Sequence, residues 1–128
     1  MPHLITCLGH DKERWHVIER IISSQLFDII YIVTDIFGKD NFIINPPSSV
    51  TISYILVDFS DSVEKINEEL SAALKRAFGK DKIVDLEIAI NITSGDGRLH
   101  SALISAVMKL GYGLRIIEVD KDDDVAVL

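Results

Sequence analysis

The chain is poor in cysteine and in positive charge, and both shortages limit what it can do. Cys7 is the only cysteine among 128 residues, so neither an intramolecular disulfide nor a cysteine-based metal cluster can form. Because Cys7 lies inside an apolar run, we interpret it as a small buried core residue rather than a catalytic thiol. The 13 Lys and Arg residues against 20 Asp and Glu give a formal net charge of -7, which argues against the basic stripe that long nucleic acids require.

Long apolar runs and targeting signals are also missing. No apolar run approaches the roughly 20 residues that cross a bilayer, so we expect a soluble protein with no membrane partner. The start of the chain, residues 1–5, lacks the basic region and cleavage site of a secretory signal, and we expect a cytoplasmic location. The length suits one domain that buries its own core. Residues 1–128 are therefore predicted to form a single ligand-binding domain.

Short apolar runs alternate with amphipathic stretches along the chain. The predicted strands cover residues 3–8, 27–33, 50–57, 83–92, 114–119 and a short edge strand at 125–128, and the predicted helices cover residues 12–25, 63–78 and 99–110. We expect Asp11 to cap the first helix, Trp15 to anchor the core, residues 58–62 to supply capping side chains and Gly79 to end the second helix. Residues 35–49 are predicted to form one long irregular loop, through which strands two and three are joined by an irregular crossover or a hairpin.

The strands lack a clean period of two, which is typical of strands covered on both faces. Together with the alternation of strands and helices, this predicts an α/β fold, a Rossmann-like three-layer sandwich with a mostly parallel sheet and helices on both faces. Ligands of such sheets bind beyond the carboxyl ends of the strands, near the place where strand order reverses. Residues 9–11, 34–35, 58–60 and 93–98 all follow predicted strands.

The most informative segment is Asn91-Ile92-Thr93-Ser94-Gly95-Asp96-Gly97-Arg98, between a buried strand and a helix. It offers hydroxyls, free backbone N–H groups, a positive helix end and a guanidinium, which together favour binding of a phosphate group. The same residue types also suit an ordinary capped turn, and that interpretation stays open. The segment is neither a Walker A loop nor a dinucleotide Gly-x-Gly-x-x-Gly motif, so ATP hydrolysis and hydride transfer are not expected.

Metal and triad chemistry have little support in the sequence. His10 and His100 are both expected at the ligand end of the sheet, but no matched carboxylate cluster accompanies them, so we predict no metal site and no cofactor. Nothing in the sequence places a histidine and an acid around Ser94, and a Gly-x-Ser-x-Gly elbow is missing.

These motifs resemble the CRISPR-associated Rossmann-fold family, the CARF domains. That family has a loop after its first strand and a second motif, commonly Asp-x-Thr-Gly-Gly-Thr-Lys, that leads into a helix. Here residues 8–11 correspond to the first loop and residues 91–99 to the second motif. Asn91 stands where the family has an acid and Ser94 where it has a glycine. Gly97 falls at the lysine position, and Arg98 follows one residue later.

The resemblance implies a homodimer whose paired loops hold one cyclic oligoadenylate, the second messenger of type III CRISPR antiviral defence. Since no effector segment follows within these residues, it further implies a sensor that docks on a separate effector, a protein that sequesters the messenger, or a metal-independent ring nuclease that cleaves it. For cleavage the candidate catalytic residues are Arg98, Ser94 and His10. The predicted ligand-binding residues are Gly9, His10, Asp11, Thr34, Thr93, Ser94, Gly95, Asp96, Gly97 and Arg98.

A different class of function also stays open. The acidic surface and the loop at residues 35–49 suit a structural or regulatory subunit that engages a protein partner, with residues 93–98 merely capping a helix.

Overall fold

Six strands and four α-helices follow one another in the computed structural model of the protein, which describes residues 3–128. Met1 and Pro2, part of the N-terminal segment considered above, lie outside the described residues. In chain order the elements are β1 His3–Cys7, α1 Trp15–Ser23, β2 Ile29–Thr34, α2 Ile36–Asn41, β3 Thr51–Leu56, α3 Val63–Lys80, β4 Glu87–Asn91, α4 Gly97–Lys109, β5 Gly113–Val119 and β6 Val125–Val127. A single 3-10 turn, Lys12–Arg14, leads into α1.

The strands form one sheet in the order β3-β2-β1-β4-β5-β6. The first five strands are parallel, and only β6 runs antiparallel to its neighbour β5. The central strands β1, β2 and β4 are buried almost throughout, which explains why their sequences are continuously apolar. The predicted mostly parallel α/β sheet and the short edge strand at the end are confirmed.

Helices cover both faces of the sheet. Leu70 and Leu74 of α3 and Leu103 of α4 build the core on one face, while Trp15 and Ile18 of the α1 segment build the core on the other. Each core buries a large apolar area, the dominant favourable term in folding. The predicted three layers and the core position of Trp15 are therefore confirmed. None of the helices within residues 3–128 combines the length and the apolar character needed to cross a bilayer.

The predicted loop at residues 35–49 is partly wrong, because α2 occupies its first half. Asp35 caps this helix by accepting a hydrogen bond from Gly38 N at 2.8 Å. Gly38 packs against the end of β2, where a Cβ would lie 1.8 Å from Thr34 Oγ1. Glycine here permits close packing rather than a loop. The connection is a crossover between parallel strands, so the hairpin alternative is wrong.

The helix ends also differ from the prediction, by two or three residues at most. Helix α3 continues through Gly79 to Lys80, since a glycine with ordinary helical backbone lowers helix stability without ending the helix. Asp11 makes no capping hydrogen bond, because its carboxylate accepts hydrogen bonds from Ser94 Oγ and Gly95 N instead. The predicted capping from residues 58–62 is confirmed by Ser62, whose hydroxyl accepts from Lys65 N at 3.2 Å.

Candidate functional site

A cleft of about 370 Å³ lies at the carboxyl end of the sheet. The chain passes from β1 to β2 and β3 on one side and then returns to place β4 on the other side of β1. The loops after β1 and β4 therefore separate at this point, where open α/β sheets bind ligands. The cleft is lined by Gly9, His10, Asp11, Phe59, Ile66, Gly95, Asp96, Arg98 and Leu99.

Backbone forms the floor of the cleft, where the two loops touch at Gly9 and Gly95. A Cβ on Gly9 would lie 2.7 Å from Gly95 Cα and 2.9 Å from Gly95 N. Gly95 has a φ of 95°, a conformation that residues with a Cβ rarely adopt. Both positions therefore require glycine. The sequence favoured close backbone approach at Gly95 and Gly97, and this is wrong for Gly97, where an added Cβ would meet nothing within 4 Å.

A buried hydroxyl and a carboxylate join the two loops. Ser94 Oγ accepts from Gly9 N at 2.9 Å and donates to Asp11 Oδ1 at 2.5 Å. Gly95 N also donates to Asp11 Oδ1, at 3.2 Å, and Arg14 Nε lies 3.9 Å from Asp11 Oδ2. An internal carboxylate thus occupies donors that the sequence assigned to a ligand phosphate. Ser94 is fully buried, so its hydroxyl serves the protein and does not face the cleft.

The start of α4 is capped by Asp96. Its Oδ1 accepts from Leu99 N at 3.0 Å, in the geometry of a helix N-cap. The capped-turn interpretation of this segment is therefore confirmed at Asp96, which also lines the cleft. This carboxylate offsets part of the positive end of the helix dipole.

Arg98 ties the start of α4 to the loop between β3 and α3. Its Nη1 donates to Phe59 O at 3.1 Å, and its Nη2 donates to Asp61 O at 2.5 Å. These bonds hold Phe59 as a wall of the cleft. The same loop is ordered by Ser60, whose hydroxyl and backbone N–H donate to Asp58 and hold the pKa of that carboxyl below its usual value.

Three rings form an aromatic lip on one side of the cleft: His10, Phe37 and Phe59. The His10 ring lies 4.7 Å from the Phe37 ring and 5.5 Å from the Phe59 ring. His10 Nε2 lies 2.7 Å from Asp35 Oδ2, and because a carboxylate only accepts, Nε2 carries the proton. The remaining nitrogen, Nδ1, is then the ring atom that can accept a proton.

Four predicted ligand residues lie outside the cleft lining. Thr34 is buried and donates to Leu8 O at 2.7 Å, and Thr93 donates to Glu118 Oε2 at 2.7 Å. Gly97 is the exposed first residue of α4, and Ser94 is the buried link described above. As ligand contacts these four residues remain predictions. The hydroxyls of Thr34, Thr93 and Ser94 all form hydrogen bonds within the protein.

The side chain of His100 bonds to the turn between β4 and α4. Its Nε2 donates to the carbonyl oxygen of Ser94 at 2.8 Å, since a carbonyl oxygen only accepts. Within residues 3–128, no group of three or more His, Cys, Asp or Glu side chains is arranged to hold a metal ion.

No family model and no curated protein matches the chain, whereas solved structures share its fold. Protein VC1899 from Vibrio cholerae matches 98% of the chain with a TM-score of 0.63 and 9% sequence identity, over 33% of its own length. Csm6 from Enterococcus italicus, solved bound to cyclic hexa-2'-fluoro-hexa-dAMP, matches 98% of the chain with a TM-score of 0.61 and 15% identity, over 35% of its own length.

The chain shares a Rossmann-like fold with these two structures. The likeness to Csm6 supports the fold that the motif resemblance implies, a Rossmann-like sheet with helices on both faces. The chain spans about a third of the length of each of these two proteins.

Sequence reasoning missed several residues that line the cleft. Phe59 belongs to residues 58–60, which the sequence placed at a strand end without predicting a ligand contact there, and Ile66 and Leu99 were assigned to predicted helices. Lys12 and Arg14 on the 3-10 turn were also missed, although Arg14 Nη1 donates to Thr93 O at 3.2 Å. Two cations separated by Glu13, directly after the first loop motif, were the available signal.

Proposed function

We propose that the chain binds a cyclic oligoadenylate as a homodimer, acting as a sensor or as a protein that sequesters this messenger. The observation that carries the proposal is the cleft at the reversal of strand order, where the Gly9 and Gly95 loops meet. Csm6, which shares the fold, was solved with a cyclic hexanucleotide bound.

The side chains of the cleft suit the parts of an adenylate. The rings of His10 and Phe59 offer faces for stacking a base, which stabilises single-stranded nucleotides by about 1–3 kcal/mol per base. Arg98 offers N–H groups for a phosphate. Asp96 keeps acceptor capacity beyond its single capping bond and can accept from an adenine amine or a ribose hydroxyl.

Charge balance around the cleft indicates how the ligand is held. Lys12, Arg14 and Arg98 contribute three positive charges, and Asp11, Asp35 and Asp96 contribute three negative ones. One protomer therefore presents no strongly positive field. We propose that directed hydrogen bonds and stacking provide the affinity, so that binding falls only moderately with added salt.

A second copy is proposed because one cleft has the size for only part of a ring. Its volume lies near the lower end of the range of small-ligand sites, about 300–1,000 Å³. The outer face of α4 begins beside the cleft at Gly97 and continues through Ser101 and Ser105 to Met108, which is 61% exposed. Small residues at four-residue spacing allow close helix approach. Two copies paired along this face would bring their clefts together.

Binding is tested by measuring the unfolding midpoint with cyclic tetra-adenylate, cyclic hexa-adenylate and their linear forms. A ligand at about 100 times its Kd stabilises by about 2.7 kcal/mol, so one cyclic form should raise the midpoint clearly. Arg98→Ala should lose this shift, whereas Arg115→Ala should keep it, because Arg115 pairs with Glu87 away from the cleft. If no adenylate raises the midpoint of the wild type, the structural or regulatory alternative is favoured instead.

Dimer formation is tested separately by sedimentation. Met108→Arg should shift the protein towards monomer and weaken ligand binding, because a charge would lie in the proposed interface. Leu26→Arg serves as the control, since Leu26 is similarly exposed (58%) and lies on the segment before β2. A monomeric wild type with ligand present would contradict the homodimer.

A second candidate function, cleavage of the ring, is favoured by the pair of His10 and Asp35. The hydrogen bond from Nε2 to Asp35 orients the imidazole and leaves Nδ1 to take the proton of a ribose 2'-hydroxyl. The 2'-oxygen would then bond to the adjacent phosphorus while the bond to the 5'-oxygen breaks. The products are a 2',3'-cyclic phosphate and a 5'-hydroxyl, which receives a proton.

Chromatography of labelled rings after long incubation tests this activity. Linear products should form with the wild type and with His16→Ala, an exposed control on α1, and should be lost with His10→Ala. Intact rings with the wild type would exclude cleavage while leaving the binding proposal in place.

A further inference from the structure

Among residues 3–128, the strand β3 forms an edge of the sheet and carries no charged residue, proline or bulge of its own. It is six residues long, and no charged residue occurs between Val50 and Val57. The opposite edge strand, β6, has only three residues and follows the acidic turn at residues 120–124. Natural proteins usually protect edges with charges, bulges, proline or short strands. An uncharged six-residue edge is therefore available to pair with another strand.

Alternate backbone groups of β3 point to the open side. Thr51 N donates to Asp28 O at 2.8 Å, and Val57 N donates to Thr34 O at 2.9 Å. Because parallel pairing uses every second residue of a strand, Ser53 and Ile55 also face β2. The N–H and C=O groups of Ile52, Tyr54 and Leu56 therefore lie on the side without a neighbouring strand.

A groove of about 510 Å³ runs along this edge, between β3 and the last turns of α3. Arg76 and Lys80 line it, one helical turn apart, and neither forms an ion pair within residues 3–128. Asp81 also lines the groove, but its carboxylate accepts from the hydroxyl of Tyr31 at 2.5 Å. Burial and this bond raise the pKa of Tyr31, so that its hydroxyl stays a donor.

A further cation lies beside the same strand. Lys39 Nζ lies 5.9 Å from the ring centroid of Tyr54, which packs with the core on the α1 face, whereas Ile55 belongs to the core on the α3 face. Positive charge thus flanks the uncharged edge on both faces of the sheet, in a protein whose net charge is -7. This local excess of positive charge favours an added strand that carries acidic side chains.

We propose that the β3 edge and the Arg76–Lys80 groove bind an extended acidic peptide segment of a partner protein, which adds to the sheet as a further strand. Main-chain hydrogen bonds to Ile52, Tyr54 and Leu56 supply affinity in this mode of recognition. Side chains of an added strand alternate between the two faces, so acidic residues on it meet Arg76 and Lys80 on one face and Lys39 on the other.

Charge also decides against a second copy of the chain at this edge. Pairing of β3 with its own copy about a twofold axis perpendicular to the sheet keeps both α3 helices on the same face. Arg76 and Lys80 would then approach the same two cations of the other copy, and like charges placed together oppose association. An acidic strand removes this conflict.

The test uses two labelled synthetic peptides long enough to span the strand, one alternating Glu with Thr and one alternating Lys with Thr. The full chain should bind the Glu peptide and not the Lys peptide, and amide hydrogen exchange should slow at Ile52, Tyr54 and Leu56. The double variant Arg76→Glu with Lys80→Glu should bind the Glu peptide about tenfold or more weakly. Lys75→Glu is the matched control, because Lys75 is exposed on the same helix and does not line the groove.

Equal binding of the two peptides, or unchanged exchange at the three edge amides, would overturn the proposal. An equal loss of affinity for the Glu peptide in Lys75→Glu would also overturn it, because the effect would then depend only on the overall charge of the protein. Protection of the edge amides by rising protein concentration alone would instead assign the edge to a second copy. Folding of the double variant is checked by its unfolding midpoint, which should stay close to that of the wild type because both side chains are exposed.

Discussion

The Oδ1 atom of Asp11 lies 2.5 Å from Ser94 Oγ and accepts a hydrogen bond from it. These residues follow β1 and β4, so this hydrogen bond helps to join the two loops at the reversal of strand order. Hydrogen bonds with a charged partner are short and roughly twice as strong as neutral ones. The candidate site is therefore held rigidly before any ligand arrives, which lowers the entropy cost of binding.

Ser94→Ala should destabilise the protein by about 1–3 kcal/mol. The substitution leaves the buried N–H of Gly9 without its acceptor and removes a donor from Asp11. Urea unfolding measures the change. Ser23→Ala is the control, because Ser23 is exposed on α1 and bonds only within its helix, and its effect should stay within about 0.5 kcal/mol. A loss at Ser94 no larger than at Ser23 would contradict the structural role assigned here.

Gly9→Ala and Gly97→Ala should have opposite effects on stability. An added Cβ at Gly9 meets the backbone of Gly95 at 2.7 Å, whereas one at Gly97 meets nothing within 4 Å. Gly9→Ala should thus force the loops apart and lower the free energy of unfolding. Gly97→Ala should raise it by up to about 1 kcal/mol, because alanine is the better helix former. Equal effects in thermal unfolding would count against the close contact.

Phe59→Ala should weaken adenylate binding more than Phe59→Leu does, if the aromatic lip stacks a base. Loss of one stacking ring corresponds to about 1–3 kcal/mol. Calorimetric titration with the cyclic ligand compares the variants, and Phe59→Tyr should restore affinity. Equal affinities for the leucine and tyrosine variants would show that Phe59 contributes apolar area alone.

Cys7 should resist thiol reagents in the native protein. It is fully buried in β1, and burial raises the pKa of its thiol far above the usual value, which keeps the reactive thiolate scarce. Reaction with Ellman's reagent at mildly alkaline pH should be slow and should accelerate with added urea. Fast labelling without denaturant would indicate that β1 opens locally.

The sequence predicted the elements that depend on apolar periodicity and missed those that depend on tertiary contacts. Helix α3 and the central strands follow from burial patterns that the residues carry themselves. Helix α2 was missed because Gly38 favours a loop locally, and only the packing against Thr34 explains a glycine there. With only 6 residues, α2 is too short to show the apolar periodicity of a helix.

The sequence predicted which loops meet at the cleft but not the hydrogen bonds between them. Strand ends located Gly9, Gly95 and Arg98 at one edge, because parallel strands bring their carboxyl ends together. The bonds of Asp11 could not be predicted from spacing, since its partners Ser94 and Gly95 lie more than 80 residues away, at separations of 83 and 84. Capping propensity pointed to the neighbouring helix instead.

A floor made of backbone also limits how this protein can evolve. Gly9 and Gly95 leave no side chain there to exchange. A mutation at Gly9 would push the loops apart, and one at Gly95 would strain a backbone with a φ of 95°. Changes in ligand preference must then arise in the surrounding walls, at Phe59, His10 and Arg98, whose side chains can vary without moving the sheet. Related proteins that kept both glycines could thus differ widely in the molecules they accept while retaining the same place to hold them.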